Sequence, residues 1–140
     1  HGFMPIVVHA MEEQDYNDWL VEKKKEAVEI AKMNELILPL DEMYARGEEV
    51  YLQSCAACHG VDGKGGVGPS LVGTAITTGP LRGHVDVLVN GVQGSAMQAF
   101  GNQLSELDLA AVVTYERNAW GNNMGDMVQA VDVLNYKKNQ

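Results

Sequence analysis

The two cysteines of this 140-residue chain lie three positions apart and are followed at once by a histidine, in the segment Cys55-Ala56-Ala57-Cys58-His59. Residues three apart on a helix share a face, so both thiols can reach one flat ligand beside that face. Because the chain has no other cysteine, a scaffold held together by several disulfides is excluded. This segment is therefore the strongest local constraint on what the chain can bind.

Four interpretations of the segment compete. A thioredoxin-like redox pair requires a βαβ context, whereas these cysteines follow a predicted helix and precede a glycine-rich loop. A structural zinc site requires a second ligand pair, and a disulfide across so short a loop stabilises little. The Cys-x-x-Cys-His spacing is typical of covalent haem attachment. We therefore predict one haem c, with thioethers at Cys55 and Cys58 and His59 as an iron ligand.

A second iron ligand is expected among the residues that follow. Met97 lies in a predicted loop before the last confident helix, and from a loop its side chain can reach the far side of the haem. A thioether opposite an imidazole raises the reduction potential, which suits an electron carrier. Met124 and Met127 lie beyond that helix, where surface packing is expected, and His84 is expected to be a polar residue at a helix start. We predict Met97.

Three further residues are predicted to support the haem. The carbonyl of Pro69 can accept a hydrogen bond from the ring of His59 and fix its tautomer, although a simple turn proline is the alternative. Arg82 can pair with a haem propionate, or remain a solvated surface residue. Gly47 lies inside a predicted helix, where it costs about 1 kcal/mol relative to alanine. A close crossing by the C-terminal helix near Tyr115 would explain it.

Hydrophobic periodicity and the placement of glycines divide the chain into four predicted regions. Residues 1–11 contain a loop and a short strand, residues 12–39 form a helical linker, residues 40–121 form the compact domain, and residues 122–140 form a tail. Helices are predicted within the domain from Asp41 as N-cap to about Ser54, over 84–90, and from Leu104, capped by Ser105 and Asp108, to a stop at Gly121.

Charge and hydropathy exclude several functions. The formal net charge is −9, and the only cluster of basic residues is Lys23-Lys24-Lys25, so a nucleic-acid partner is not expected. No apolar run approaches the roughly 18 residues that span a bilayer. Only Lys64 and Arg82 are basic between Cys55 and Met97, which differs from the basic docking ring of a carrier that seeks acidic partners.

Residues 40–121 resemble a class I cytochrome c domain. The resemblance rests on Gly47, Tyr51, the Cys55–His59 segment with Gly60, Gly68-Pro69-x-Leu71, Met97 with Phe100, and Tyr115. It implies an all-α fold of about three to five helices around one covalently bound haem c. Gln98 departs from the family, which usually has proline after the ligand methionine, and this predicts a less rigid ligand loop.

The first residues, His1-Gly2-Phe3-Met4-Pro5-Ile6, resemble the last copper-binding loop of cytochrome c oxidase subunit II. The resemblance implies that His1 and Met4 are ligands of a dinuclear copper centre. The bridging cysteines of that centre are expected upstream, so copper is expected only in the complete subunit. A purification-tag scar is the alternative for His1-Gly2.

Together the two resemblances imply the C-terminal part of a bacterial oxidase subunit II with a fused cytochrome c. Electrons would pass from a donor cytochrome c or cytochrome bc complex to the copper centre, at the periplasmic face of the inner membrane. The partners would be the other oxidase subunits, with a membrane anchor in upstream helices and no catalytic site in this domain. The alternatives are a free-standing cytochrome c, the cytochrome domain of another dehydrogenase, a haem sensor or peroxidase, and a haem-free thiol oxidoreductase.

Overall fold

Residues 8–140 are described by a computed structural model, and within them the chain forms six α-helices and no strand. The strand expected near the start of the chain falls almost wholly in residues 1–7, outside the described residues, as do His1 and Met4. The helices are α1 (Glu13–Glu35), α2 (Leu40–Ser54), α3 (Ala56–His59), α4 (Leu81–Asn90), α5 (Glu106–Asn118) and α6 (Ala130–Lys138).

The chain divides into two compact units, His1–Ala31 and Lys32–Gln140. The first unit contains most of α1, which lies within the stretch of residues 12–39 predicted to be helical and ends at Glu35. Its described side chains are nearly all exposed, and Tyr16 and Trp19 contact each other with ring centroids 5.8 Å apart. None of the helices between residues 8 and 140 combines the length and apolarity needed to cross a bilayer.

The second unit is organised by the crossing of α2 and α5 at Gly47. A Cβ atom at this position would lie 2.1 Å from the carbonyl oxygen of Ala111 and 2.6 Å from Cβ of Tyr115. The ring of Tyr115 packs on Tyr44 and Tyr51, with centroids 4.9 and 5.5 Å apart. The close crossing predicted from the glycine is confirmed, and it is what brings α2 against the centre of the core.

Helix α5 is the most buried element, with all residues from Ala110 to Arg117 buried. Ser105 caps it by accepting a hydrogen bond from the backbone N–H of Asp108 at 3.1 Å, as the sequence predicted. The helix ends at Asn118 and not at Gly121. The chain turns there through positive φ angles at Trp120 and Gly121, which places the ring of Trp120 back against the core.

Three helix starts differ from the sequence predictions, and the smallest difference is at α5, which begins at Glu106 and not at Leu104. Helix α2 begins at Leu40 with Pro39 in the N-cap position and no side-chain cap, so Asp41 lies in the first turn instead. An acidic side chain there still stabilises the helix dipole. Helix α4 begins at Leu81, three residues before the predicted start, because the fixed φ of Pro80 favours helix initiation directly after it.

The C-terminal segment, predicted as a tail, contains α6, and this helix packs on α5 and α4. Val128, Ala130 and Val133 are fully buried. Lys137 donates from Nζ to the carbonyl of Gly101 at 2.5 Å and pairs with Glu106 at 3.1 Å. The helix therefore ties the end of the chain to the loop that precedes α5.

A buried arginine connects the segments around the C-terminal end of α5. The side chain of Arg117 is 2% exposed and forms two hydrogen bonds with Asp126, at 2.8 and 2.6 Å. It also donates to the carbonyls of Thr77 and Gly79 at 3.2 and 3.0 Å. One guanidinium thus holds the turn before α4 and the segment between α5 and α6.

We expect Gly47→Ala to lower the free energy of unfolding by about 1–3 kcal/mol, because the added methyl overlaps the α5 backbone. Gly83→Ala is the matched control, since a Cβ at that helical position has nothing within 4 Å. The control should be neutral or stabilising by up to about 1 kcal/mol. Denaturant unfolding of both variants measures this, and equal stabilities would contradict the crossing.

We expect Asp126→Asn to cost about 1–2 kcal/mol at neutral pH and progressively less in acid. The hydrogen bonds from Arg117 hold the pKa of Asp126 below its ordinary value of 3.8. Its contribution to stability is therefore complete above that value and is lost as the pH falls through the folded-state pKa. Thermal unfolding of both proteins between neutral pH and about pH 3 tests this, and a gap that widens in acid would contradict it.

Candidate haem site

The two cysteines and the histidine lie where α2 passes into α3. Cys55 is both the C-cap of α2 and the N-cap of α3. Its backbone N–H donates a hydrogen bond to the carbonyl of Tyr51 at 2.8 Å. The backbone N–H groups of Cys58 and His59 both donate hydrogen bonds to the carbonyl of Cys55. Cys55 is buried, Cys58 is exposed, and neither forms a disulfide. The segment therefore presents one thiol at the core and one at the surface.

The imidazole of His59 is buried and held in one orientation. Its Nδ1 lies 2.8 Å from the carbonyl oxygen of Pro69, so the hydrogen bond predicted from the sequence is present. A Cβ on Gly68 would lie 3.0 Å from the ring, which shows how tightly the backbone packs against it. With the proton on Nδ1, the lone pair of Nε2 is free to bind a metal.

Two aromatic side chains hold the first residues of the loop that follows His59. Tyr51 donates from its hydroxyl to the carbonyl of Gly60 at 2.5 Å. A Cβ on Gly63 would lie 2.4 Å from the ring of Trp120, so only glycine fits beneath that indole. Gly63 also has a φ of +67°, which favours glycine. These contacts account for two of the glycines that follow the motif.

Met97 is half-buried in the loop between α4 and α5. Its carbonyl accepts from the backbone N–H of Val92 at 3.0 Å, and its own N–H donates to Ser95 Oγ at 3.1 Å. Phe100, three residues later, is buried and donates from its backbone to the carbonyl of Leu88 in α4 at 2.9 Å. The loop is thus closed onto α4 by short-range hydrogen bonds.

The other candidate ligands have different surroundings. Met124 is exposed, and the sulfur of Met127 lies 3.3 Å from the side-chain nitrogen of Gln129. His84 lies in the first turn of α4, as expected, but it is buried and bonded to Glu116, which the sequence did not indicate. Met97 therefore remains the predicted second ligand.

Arg82 is exposed and its guanidinium lies 5.3 Å from the centre of the Tyr136 ring, a cation–π arrangement with α6. This contact was not foreseen, because α6 itself was not. Pairing of Arg82 with a haem propionate stays a prediction.

The electrostatics of the thiols disfavour two of the competing interpretations. Burial raises the pKa of the Cys55 thiol to about 12, and the nearby carboxylate of Glu116 and the Cys58 thiol add to the rise. Reactive dithiols work through a lowered thiol pKa, so a thiol oxidoreductase fits poorly. Among residues 8–140 no group of three or more histidine, cysteine or acidic side chains is placed to hold a metal ion, which disfavours zinc.

The residues present fit a covalently bound haem c. Two unpaired thiols lie one helical turn apart, and an imidazole oriented by a backbone carbonyl follows directly. Cys55 and Cys58 would form the thioethers and His59 would bind the iron through Nε2. When bound, the haem supplies a one-electron iron couple. The chain would supply the attachment and the orientation.

A family model described as "Cytochrome C oxidase, cbb3-type, subunit III" matches residues 42–115. The gluconate 2-dehydrogenase cytochrome c subunit of Pantoea cypripedii is 35% identical over 115 residues, which cover 67% of this chain and 24% of that protein. The cytochrome c subunit of the quinone alcohol dehydrogenase of Gluconobacter oxydans (strain 621H) is 37% identical over 99 residues, covering 62% and 21%. The chain thus spans at most about a quarter of these two relatives.

Two crystal structures of cytochrome cL share the fold. The protein from Methylophaga aminisulfidivorans MPT has a TM-score of 0.50 and 25% identity, covering 56% of this chain and 53% of that one. The protein from Hyphomicrobium denitrificans has a TM-score of 0.50 and 32% identity, covering 58% and 49%. The all-α, class I cytochrome c fold predicted from the sequence is confirmed. Fold and family together imply a covalent haem c and an electron-transfer module.

We expect Met97→Ala to abolish the weak near-infrared sulfur-to-iron band of the oxidised protein and to lower the reduction potential, because the thioether is lost. The reduced variant should also bind carbon monoxide at neutral pH, whereas the parent protein should not. Met124→Ala, at an exposed methionine, is the matched control and should leave the spectrum unchanged. An unaltered near-infrared band in Met97→Ala would refute the ligand assignment.

Proposed function

The chain belongs to the family described as cytochrome C oxidase, cbb3-type, subunit III; from that haem c domain and, separately, from the pattern of residues 1–6, we propose that it is the haem c domain of a terminal oxidase. In this proposal the domain receives one electron at a time from a donor cytochrome c or cytochrome bc complex. It passes each electron to the dinuclear copper centre of its own subunit, which is a cytochrome c oxidase subunit II. The domain itself has no catalytic site.

The observation that carries the electron-transfer role is the geometry around His59. Its ring is buried and bonded through Nδ1 to the Pro69 carbonyl, directly after the two thiols. With His59 and Met97 both binding the iron, as proposed, no coordination position would be open to a substrate. A site closed in this way favours outer-sphere electron transfer over the sensor and peroxidase alternatives.

The oxidase partner is supported by the first six residues of the chain. His1-Gly2-Phe3-Met4-Pro5-Ile6 resembles the copper-binding loop of subunit II, with His1 and Met4 as proposed copper ligands in the complete subunit. A fused domain does not need to find its acceptor by diffusion. Such a domain does not need a ring of basic residues to dock its acceptor. Lys64 and Arg82 are the only lysine or arginine residues between Cys55 and Met97, and Lys64 is paired with Asp62.

The proposal also includes the surroundings of the complete subunit. Its other partners would be the remaining oxidase subunits, and helices upstream of this sequence would anchor it in the membrane. The haem domain would face the periplasm, because covalent haem attachment of this kind takes place outside the cytoplasm.

A second candidate function is the cytochrome c subunit of a membrane dehydrogenase. It is favoured by the names of the relatives, which are cytochrome c subunits of gluconate and quinone alcohol dehydrogenases at 35% and 37% identity. The haem chemistry is the same in both candidates. They differ in the direction of flow, since a dehydrogenase subunit takes electrons from its own enzyme and delivers them onward.

The experiment is the isolation of the native complex from bacterial membranes through an affinity tag placed after Gln140. We expect copper and cytochrome c-driven oxygen uptake to co-purify with the haem c band. Within that complex Met97→Ala should slow oxygen uptake by about tenfold or more, since each 59 mV lost from a one-electron couple changes the equilibrium tenfold. Met124→Ala should have no effect.

The two candidates give opposite results in this preparation. A complex without copper, whose haem c becomes reduced when a sugar acid or an alcohol is added, would support a dehydrogenase subunit. That result would overturn the oxidase proposal. A haem c protein that purifies alone would favour the free-standing cytochrome.

A further inference from the structure

A buried histidine–carboxylate contact between α4 and α5 has no part in the ligand set described above. His84 and Glu116 are 1% and 3% exposed, and Nε2 of the imidazole lies 2.7 Å from a carboxylate oxygen. The second ring nitrogen of His84, Nδ1, is buried and has no hydrogen-bond partner. The pair joins two helices at a depth where apolar side chains are the rule.

Stability alone does not explain this pair. A buried ion pair is often no more stabilising than apolar residues of similar volume. An unsatisfied buried nitrogen such as Nδ1 adds a desolvation cost to that. The neighbouring buried positions of α4 and α5, such as Val85 and Val112, are apolar, so an apolar pair would suit the environment. A purely structural role therefore does not explain why the protein accepts the free-energy cost of burying this pair.

Sequence neighbours and electrostatic influence connect the pair to the segment that carries the thiols. Glu116 follows Tyr115, whose ring packs on Tyr51, and Tyr51 is bonded to the carbonyl of Gly60 directly after His59. The charge of Glu116 also contributes to the raised pKa of the Cys55 thiol, after burial. His84 is one helical turn before Leu88, the residue that holds the backbone of Phe100 in the ligand loop.

We propose that the His84–Glu116 pair is a proton-binding site coupled to the redox state of the haem. When the haem iron gains one electron from the donor, one proton from solvent adds to Nδ1 of His84, and it leaves again when the electron is passed on. The proposal rests on the covalent haem and is independent of which enzyme complex the domain serves.

The coupling follows from electrostatics. The ferric iron carries one more positive charge than the ferrous iron, and in a poorly polarisable interior that charge repels an imidazolium strongly. His84 therefore holds its proton more tightly in the reduced protein. Glu116 lies 2.7 Å from Nε2, so its carboxylate compensates the charge that a proton on Nδ1 would bring into the core.

Other ionisable groups interact electrostatically with the pair. Glu116 acts on Tyr51, Cys55 and Tyr115, and His84 acts on Asp126 in the segment after α5. Burial raises the pKa of Tyr51 and raises that of Tyr115 to about 12, so both stay neutral. The sulfur of Cys55 has no proton once it is a thioether.

The charged groups among these neighbours are also fixed near neutral pH. Arg117 keeps its charge in its pair with Asp126, whose pKa it lowers. Arg82 and Asp86 lie on the exposed face of α4. The haem propionates can also titrate, and the variants below separate their contribution.

The first experiment measures the reduction potential of the holoprotein between about pH 5 and 9, where histidines titrate. One proton per electron gives a limiting slope of about −59 mV per pH unit, and we expect the parent protein to approach it over part of this range. Glu116→Gln and His84→Gln should reduce the steepest slope to less than half. His9→Gln, at an exposed histidine, is the matched control and should keep the parent slope.

A second measurement needs no variant, so it stands even if the substitutions impair folding. Nitrogen-15 NMR of labelled histidine in the parent holoprotein reports the protonation of His84 directly. We expect its titration midpoint to lie at higher pH in the ferrous than in the ferric protein. Equal midpoints in the two oxidation states, or a parent slope that persists in both variants and therefore belongs to the propionates, would overturn the proposal.

Discussion

The absence of a side chain at Gly47 is the constraint on which the rest of this domain depends. It lets the backbone of α5 approach α2 until a Cβ would lie 2.1 Å from the carbonyl of Ala111. At that distance Tyr51, Tyr115 and Trp120 form one aromatic cluster, with centroids 4.7 to 5.5 Å apart. The cluster fixes the end of α2, where the thiols and His59 emerge. Attachment of a planar cofactor is thus positioned by a helix crossing that contains none of its ligands.

The proposed haem site draws on contacts at more than one place in the core. The hydrogen bond from His59 to the Pro69 carbonyl and the aromatic cluster hold the segment that follows the thiols. Met97, the predicted second ligand, lies in a loop closed onto α4. Helix α6 packs on α5 and α4, and the Arg117–Asp126 pair ties the end of α5 to the segment before α6.

The sequence was informative where the chemistry is local. The spacing of the cysteines, the carbonyl of Pro69 ten residues after His59 and the glycine at position 47 each imply a contact that needs few other residues. The sequence did not predict the features that depend on contacts between residues far apart in the chain. Helix α6 has nine residues and no clear period, and its stability comes from burying Val133 against other helices. The His84–Glu116 pair joins residues 32 positions apart, and nothing in either neighbourhood signals the other.

The most direct test of the central claim is peptide mapping of the holoprotein by mass spectrometry, after expression in a host that matures c-type cytochromes. The account predicts one haem per chain, attached through both sulfurs of the peptide that contains Cys55 and Cys58, with no thiol left to alkylate in the denatured protein. A colourless protein whose two cysteines are both alkylated would contradict it.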